Sequence, residues 1–482
     1  MTLKSNLFVY FVLLVVSFTT QWTINQLNIQ NTKEHNIECR EGETIITADD
    51  YSYLNPVENY ITNGIWKESK SGDNAFYQRS PGYGLFCYPF LKLEPEKKGF
   101  FYLKIIQTLL QSTIPILIFI CLINFGFIRL QALLFALVFG ILPAFNGFVF
   151  YTLTEGITPF LVTLSFFLAY YSYQKNTLKN IIATGIVIGW LILTRPVFGL
   201  LGLLFIPIIL KEKDRNIKYV ILAILMAASP IMIWQIRNYS IHQKITNLHP
   251  IYSPSNNSVY RIPHQSIYNL IKQFNPEGAR YHQWINKLQI AANQNIHYSH
   301  IHYPLDIYNS KAIELIGTDT LDKYTNLYYQ SIIEIPKQAD LKQYSSKELL
   351  INQKFNAFKN RYTKEHWLES NVLTPITVFT TLVFHSNLNL YQFQHTYRGN
   401  PAMEILRWVS LILHVLIFVV PIILILLFYP KLKKELKWLL PILVYLIYLC
   451  YFQRGVEERY TYPLLGYLYL VNLLYIKKSV LK

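Results

Sequence analysis

ILRWVSLILHVLIFVVPIILILLFY, residues 405–429, is an apolar run whose only basic side chains are Arg407 near its start and His414 within it, with no acidic one. A bilayer core of about 30 Å is crossed by about 20 apolar residues in a helix. Lipid offers the backbone no hydrogen-bond partners, so a run of this kind reads as a membrane-spanning helix. Similar runs lie at 6–24, 102–123, 130–150, 156–173, 178–194, 197–210, 217–236, 436–452 and 459–476, which makes about ten spans. The run at 197–210 is short enough to be half of a hairpin. The first run follows Lys4 and resembles a signal peptide, but FTTQWTINQ after it has no small-residue cleavage site, so it reads as a retained anchor. His414 reads as a satisfied core histidine.

Composition agrees. Of 482 residues, 52% are hydrophobic and 15% charged, against about 25% charged in soluble domains. A disordered chain, a disulfide scaffold and an ordinary cytosolic enzyme are excluded. The net charge of +16, from 44 Lys+Arg and 28 Asp+Glu, does not point to nucleic acid, because the excess sits in short connectors. Lys4, Arg129, Lys175, Lys179, Lys211, Lys218, Lys431, Lys437, Lys477 and Lys478 all fall on one side of the spans. By the positive-inside rule that side is cytoplasmic, and so are both termini. The expectation is a multi-pass protein of the cytoplasmic (inner) membrane, with membrane lipids as partners.

Two long polar segments then face outward, 25–101 and 237–404. The chain divides into an N-terminal transmembrane module (1–240), a mainly helical extracytoplasmic segment (237–404) and C-terminal transmembrane helices (405–482). Apolar periodicity predicts helices in 264–296 and 319–366. The stretch 371–386, broken by Pro375, reads as an interfacial helix. Cys39 and Cys87 share the first outer loop, where a disulfide and two free thiols are both open readings; Cys121 and Cys450 read as free membrane thiols.

The unusual polar residues gather at the outer ends of the spans: ITADDYSYLNPVENYITNG (46–64), RSPGYGLF (79–86), YTLTEG (151–156), LTRP (193–196), SPIMIWQIRNY (229–239) and RGVEERYTYPLL (454–465). A charge at membrane depth costs about 2.5–3.5 kcal/mol on insertion scales. Any one of these residues can snorkel to water, but so many at one face imply a shared cavity. Asp49 and Asp50 are adjacent and point different ways, so at most one faces a given substrate atom. One carboxylate can serve as a general base. The pair equally suits the N-terminus of a helix carrying Tyr53, Leu54, Val57, Tyr60 and Ile61. Arg195, Arg237 and Arg459 have the fork geometry that grips phosphate, and they also suit anchoring to lipid head groups. HYSHIHY (297–303), followed by Asp306, lacks the i, i+4 spacing of a helical zinc site and reads as a polar loop, so no metal site is expected. The sequence has no P-loop, dinucleotide fingerprint or Gly-x-Ser-x-Gly elbow, which argues against an ATP-driven pump and a serine hydrolase.

The order of these motifs resembles the GT-C glycosyltransferases. More narrowly it is similar to the family 39-like enzymes, the dolichyl-phosphate-mannose protein mannosyltransferases and the bacterial aminoarabinose transferase of lipid A. The resemblance covers roughly 1–240 and, more loosely, 440–475. It implies an all-α polytopic GT-C-like fold and a membrane glycosyltransferase. The sugar would move from a polyprenyl-phosphate donor, with inversion, to a hydroxyl on a glycan, lipid or protein acceptor at the outer face. Carried over, Asp49 is the base, and Asp50 and Glu155 orient the acceptor or the base. Arg237 and Arg459 hold the phosphate, with Arg79, Arg195 and Tyr53 completing the substrate-binding set. No cofactor is implied, and a divalent cation has no clear motif. The family has Pro-Pro where this chain has Ser80–Pro81. A polysaccharide polymerase or ligase, or a lipid-linked sugar transporter, is the alternative; the scarcity of mid-span ionisable residues favours the transferase.

Overall fold

A computed structural model describes residues 3–34, 39–40, 43–47, 49–67, 79–93, 97–175, 177–211, 213–242, 261–275, 278–301, 305–334, 344–385 and 401–480. It is mostly helical. The first module contains α1 (Leu3–Glu34), a two-stranded antiparallel hairpin of β1 (Cys39–Arg40) and β2 (Thr44–Ile45), α2 (Asp50–Asn63), α3 (Gly82–Leu93), α4 (Lys97–Ser112), α5 (Ile114–Phe125), α6 (Arg129–Ile141), α7 (Thr158–Lys175), α8 (Leu178–Thr194), α9 (Phe205–Lys211) and α10 (Lys213–His242). A second module follows with α11 (Ile262–Ile271), α12 (Gly278–Asn293), α13 (Ser310–Ile316), α14 (Thr318–Glu334), α15 (Ser346–Glu365) and α16 (Thr374–Val383). The chain then returns to the bundle through α17 (Pro401–Leu432), α18 (Leu440–Ile447) and α19 (Leu465–Ser479).

Among the described residues, four helical stretches are long and apolar enough to cross a membrane: Leu7–Gln30, Lys98–Phe125, Ile217–Ile241 and Glu404–Leu432. Arg129–Ile141, Leu178–Thr194, Pro196–Lys211 and Leu440–Gln453 are shorter apolar helices. Other runs expected as continuous spans break in specific ways. In 130–150, α6 stops at Ile141, just before Pro143, which has no N–H to continue the ladder. In 197–210, the chain starts as a 3₁₀ stretch, Pro196–Leu204, before α9. In 436–452, α18 passes into a π-helical turn over Tyr448–Gln453. The first helix runs on past the expected end at 24 to Glu34. Pro375 sits in the first turn of α16, where a proline is tolerated, and does not break that helix.

The bundle core is aromatic and aliphatic, built from Phe119, Phe166, Leu201, Trp438, Tyr467 and Leu470 among others. α8 and α10 approach most closely through small residues: a Cβ on Gly189 would stand 2.6 Å from the Ala227 carbonyl oxygen, and Gly185 faces Ala223 in the same way. This is small-xxx-small packing, which lets backbones meet where lipid gives no hydrophobic drive. The second module has its own core of Ile267, Leu270, Tyr281, Leu288, Tyr328 and Phe355. Its entry is fixed by a buried ion pair: Arg261 Nη2 donates to Glu348 Oε2 at 2.7 Å, and Glu348 also forms the capping box of α15 with Ser345. All four cysteines are free. Cys39 packs against the bundle core while Cys87 is buried in a separate cluster with Leu54, Val57 and Tyr83, so the structure contains no Cys39–Cys87 bond. His414, expected as a core histidine, is buried against the His385 ring at 4.0 Å.

Candidate active site

Local backbone chemistry sets the stage. The residue before a proline is driven to extended geometry, so α8 ends at Arg195 (φ −146°, ψ 106°) ahead of Pro196 and turns the guanidinium out of the helix. A 3₁₀ turn over Thr154–Gly156 presents Glu155. α4 clamps that turn, since Gln111 Nε2 donates to the carbonyls of Glu155 (2.8 Å) and Gly156 (2.9 Å). Gly156 leaves room there for the Gln107 amide, which a Cβ would displace. Arg459 projects from the 3₁₀ stretch Glu458–Leu464 that precedes α19. Arg79 lies just ahead of α3, whose Gly82 lets the helix start abut the Leu193–Thr194 backbone; a Cβ there would be 2.5 Å from the Leu193 carbonyl carbon.

These loops converge at one end of the bundle on a cavity of about 700 Å³. Asp49 sits at the N-cap position of α2, yet its side chain makes no cap hydrogen bond. Its carboxylate is paired with Arg79 through Oδ1, and Arg459 Nη2 donates to Oδ2 at 2.8 Å. Glu155 accepts from Arg195 Nη1 at 3.0 Å and from Thr154 Oγ1 at 3.0 Å. Arg459 Nε lies 2.6 Å from Glu457 and 3.9 Å from Glu155, linking the two carboxylate sites. The Arg195 guanidinium stacks on Tyr460 at 5.1 Å and that of Arg79 on Tyr53 at 5.7 Å.

Electrostatics follow from this pairing. Burial pushes the Asp49 carboxyl up, but the Arg79 and Arg459 guanidiniums outweigh it and hold the group below its usual value. Glu155 behaves alike: burial raises it, and Arg195 and Arg459 bring it below the ordinary range. Both are carboxylates at neutral pH. Their access differs, because the side chain of Asp49 is 26% exposed and that of Glu155 only 2%. Of these two, Asp49 is therefore the one a ligand in the cavity can reach; Glu457, paired with Arg459 and 35% exposed, is a third carboxylate on the same wall.

Of the residues expected from the sequence, Asp49, Tyr53, Arg79, Glu155, Arg195 and Arg459 line this one cavity. Two do not. Asp50 is fully buried and turned away, taking a two-pronged ion pair from Arg40, whose Nη1 donates to Oδ2 at 2.8 Å. Arg237 lies along α10, stacked on Trp234 at 4.9 Å and donating to Asn238 Oδ1 at 2.9 Å. The side chain of Glu458 lies outside the described residues. So does His302; His297 and His300 are described, and no group of three or more potential metal ligands occurs among the described residues.

Residues the sequence reading passed over complete the site. The second module covers the cavity with His264, Gln265 and Tyr268 of α11 and His282 of α12. His264 is buried beside the Tyr281 hydroxyl at 3.2 Å, and burial lowers it to about 3, so it is neutral. Arg40, the structural partner of Asp50, had no pattern to mark it. The apolar periodicity of 264–296 covered α11 and α12, without marking the break between them or indicating which face meets the bundle.

No protein-family model matches this chain, and no curated protein matches it.

Proposed function

We propose that the chain is a GT-C-type membrane glycosyltransferase that moves a sugar from a polyprenyl-phosphate donor to an acceptor hydroxyl. The observation that carries this reading is the pairing, in one cavity, of a reachable carboxylate with several guanidiniums: Asp49 beside Arg79 and Arg459, with Arg195 against Glu155. Transfer from a phosphate leaving group needs a base for the acceptor and cations for the departing oxygen, and little else. The acceptor oxygen attacks the anomeric carbon opposite the bond to phosphate. Its proton passes to Asp49, and the bonding electron pair leaves with the polyprenyl phosphate, which Arg459, Arg79 and Arg195 hold. Asp49 is a weak base while two guanidiniums grip it. An arriving donor phosphate competes for those guanidiniums, and withdrawal of either raises the basicity of Asp49 when the substrate is in place.

In this reading Glu155 holds Arg195 and Arg459 in register, and Asp50 is structural, not catalytic. The four long helices, the four shorter apolar ones, α7 and α19 together make about ten spans, the Lys-rich connectors and both termini lie in the cytoplasm, and the cavity opens to the outer face of the cytoplasmic membrane. The acceptor, a glycan, lipid or protein, enters beneath α11 and α12.

The test is sugar transfer in membranes. A panel of labelled polyprenyl-phosphate sugars is supplied, and release of the free lipid phosphate is followed for the wild type and Asp49→Asn. The expected loss is about 10²–10⁴-fold with the protein still inserted. Equal turnover by the two proteins would remove Asp49 from the chemistry.

A further inference from the structure

A second pocket, of about 510 Å³, lies on the other flank of α11, where the second module meets the π-helical end of α18. Its wall carries Lys272, Lys359, Lys364 and Arg454, and none of the described residues lining it is acidic. This is unlike the first cavity, where each guanidinium faces a carboxylate. Arg454 is 6% exposed and held in a rare backbone conformation (φ 58°, ψ −53°), with its Nη1 donating to Gln273 Oε1 at 2.8 Å. A non-glycine residue is kept in such a conformation only when its surroundings over-determine it. Lys272 extends over the Tyr268 ring at 3.9 Å. The rim is aromatic: Trp367 and Phe452 line the pocket while remaining 60% and 73% exposed.

Cations backed by exposed aromatic side chains, next to apolar helices, are the composition of a membrane–water interface. We propose that this pocket binds the phosphate of an anionic lipid head group, with Trp367 and Phe452 against the acyl-chain boundary. The inference rests on the chain being embedded in a membrane and not on the transfer reaction, so the two fail separately.

The test uses the full-length protein in phosphatidylcholine nanodiscs, titrated with brominated phosphatidylglycerol. Quenching of Trp367 is read as the difference between the wild type and Trp367→Phe. Quenching is expected to saturate at a low mole fraction of phosphatidylglycerol, with brominated phosphatidylcholine far weaker at the same fraction. Lys272→Gln and Lys359→Gln are each expected to weaken binding roughly 5-fold, at about 1 kcal/mol per interfacial cation. Lys359→Arg should retain it, and so should Lys323→Gln, which lies outside the pocket, as a control for folding. Equal quenching by the two lipids, or Gln variants that bind as the wild type does, would overturn the proposal. Displacement by inorganic phosphate at the lipid's own concentration would overturn the lipid assignment and leave a soluble-anion site.

Discussion

Asp49 and Asp50 are neighbours in sequence, both are gripped by arginine, and their surroundings have little else in common. Arg40 grips Asp50 with both terminal nitrogens and also donates to Thr152 Oγ1 at 3.1 Å, with the Phe100 ring 4.4 Å from the guanidinium. No water-facing surface remains on the Asp50 side chain. Asp49 shares its two guanidiniums with other groups, stays partly open and faces a cavity. The same residue types thus build a closed joint in one place and a reactive surface in the other. Access and the sharing of counter-charges separate the two; the mere presence of an ion pair does not.

This contrast can be broken by mutation. The largest effect should be on catalysis: Asp49→Asn loses about 10²–10⁴-fold in sugar transfer, while its melting temperature in detergent stays within a few degrees of wild type. Asp50→Ala should show the opposite pattern. It leaves the Arg40 guanidinium without its carboxylate in a buried setting, at a cost of about 3–5 kcal/mol, to be read as a large fall in melting temperature or loss of monodisperse protein. The double replacement Arg40→Met, Asp50→Leu sharpens the point, because removing both charges should recover most of that stability. If the double variant is as unstable as Asp50→Ala, the pair has a role beyond mutual neutralisation.

Smaller effects test the open cluster. Asp49 and Glu155 lie below their ordinary values when folded, so they bind fewer protons in the folded than in the unfolded chain. Their contribution to stability is present above the unfolded carboxylate value of about 4 and is lost as pH falls through the lower folded values. Buried His264, whose folded value of about 3 lies below the unfolded imidazole value of about 6.5, adds a slope of its own. The melting temperature should fall gradually below about pH 6.5 and more steeply below about pH 4, with Asp49→Asn reducing only the steeper part. The smallest effect lies far from the site: Ser345→Ala removes the capping box of α15, at about 1 kcal/mol of stability in the second module, and should leave transfer by the bundle within about 2-fold.

Much of the helical bundle was legible in the sequence because lipid imposes one requirement, internal backbone pairing over a fixed length, and apolar runs record it directly. The interruptions were less legible. That α6 would stop at Ile141 depends on Pro143 and on Asn146, whose Nδ2 takes up the carbonyls of Phe139 and Leu142 at 3.0 and 2.8 Å. Most of the cavity was also foreseen, since Asp49, Arg79, Glu155, Arg195 and Arg459 lie at helix ends where their cost would otherwise be unexplained. Residue chemistry alone left Asp49 and Asp50 equivalent, and only the family resemblance singled out Asp49; the burial of Asp50 turns on Arg40, whose approach follows from the two-residue pairing of Cys39–Arg40 with Thr44–Ile45. Arg237 was misplaced because position along a helix says nothing about its azimuth, and Trp234 one turn earlier claims its guanidinium.

Gly82 sets a dimension of the site. Because it has no side chain, the start of α3 rests directly on the Leu193–Thr194 backbone, and two loops that bear Arg79 and Arg195 are held apart by main chain alone. Main chain does not change rotamer. The spacing of the two loops is thus a gauge cut into the scaffold, and only the reach of the Arg79 and Arg195 side chains is left to adjust to a ligand between them.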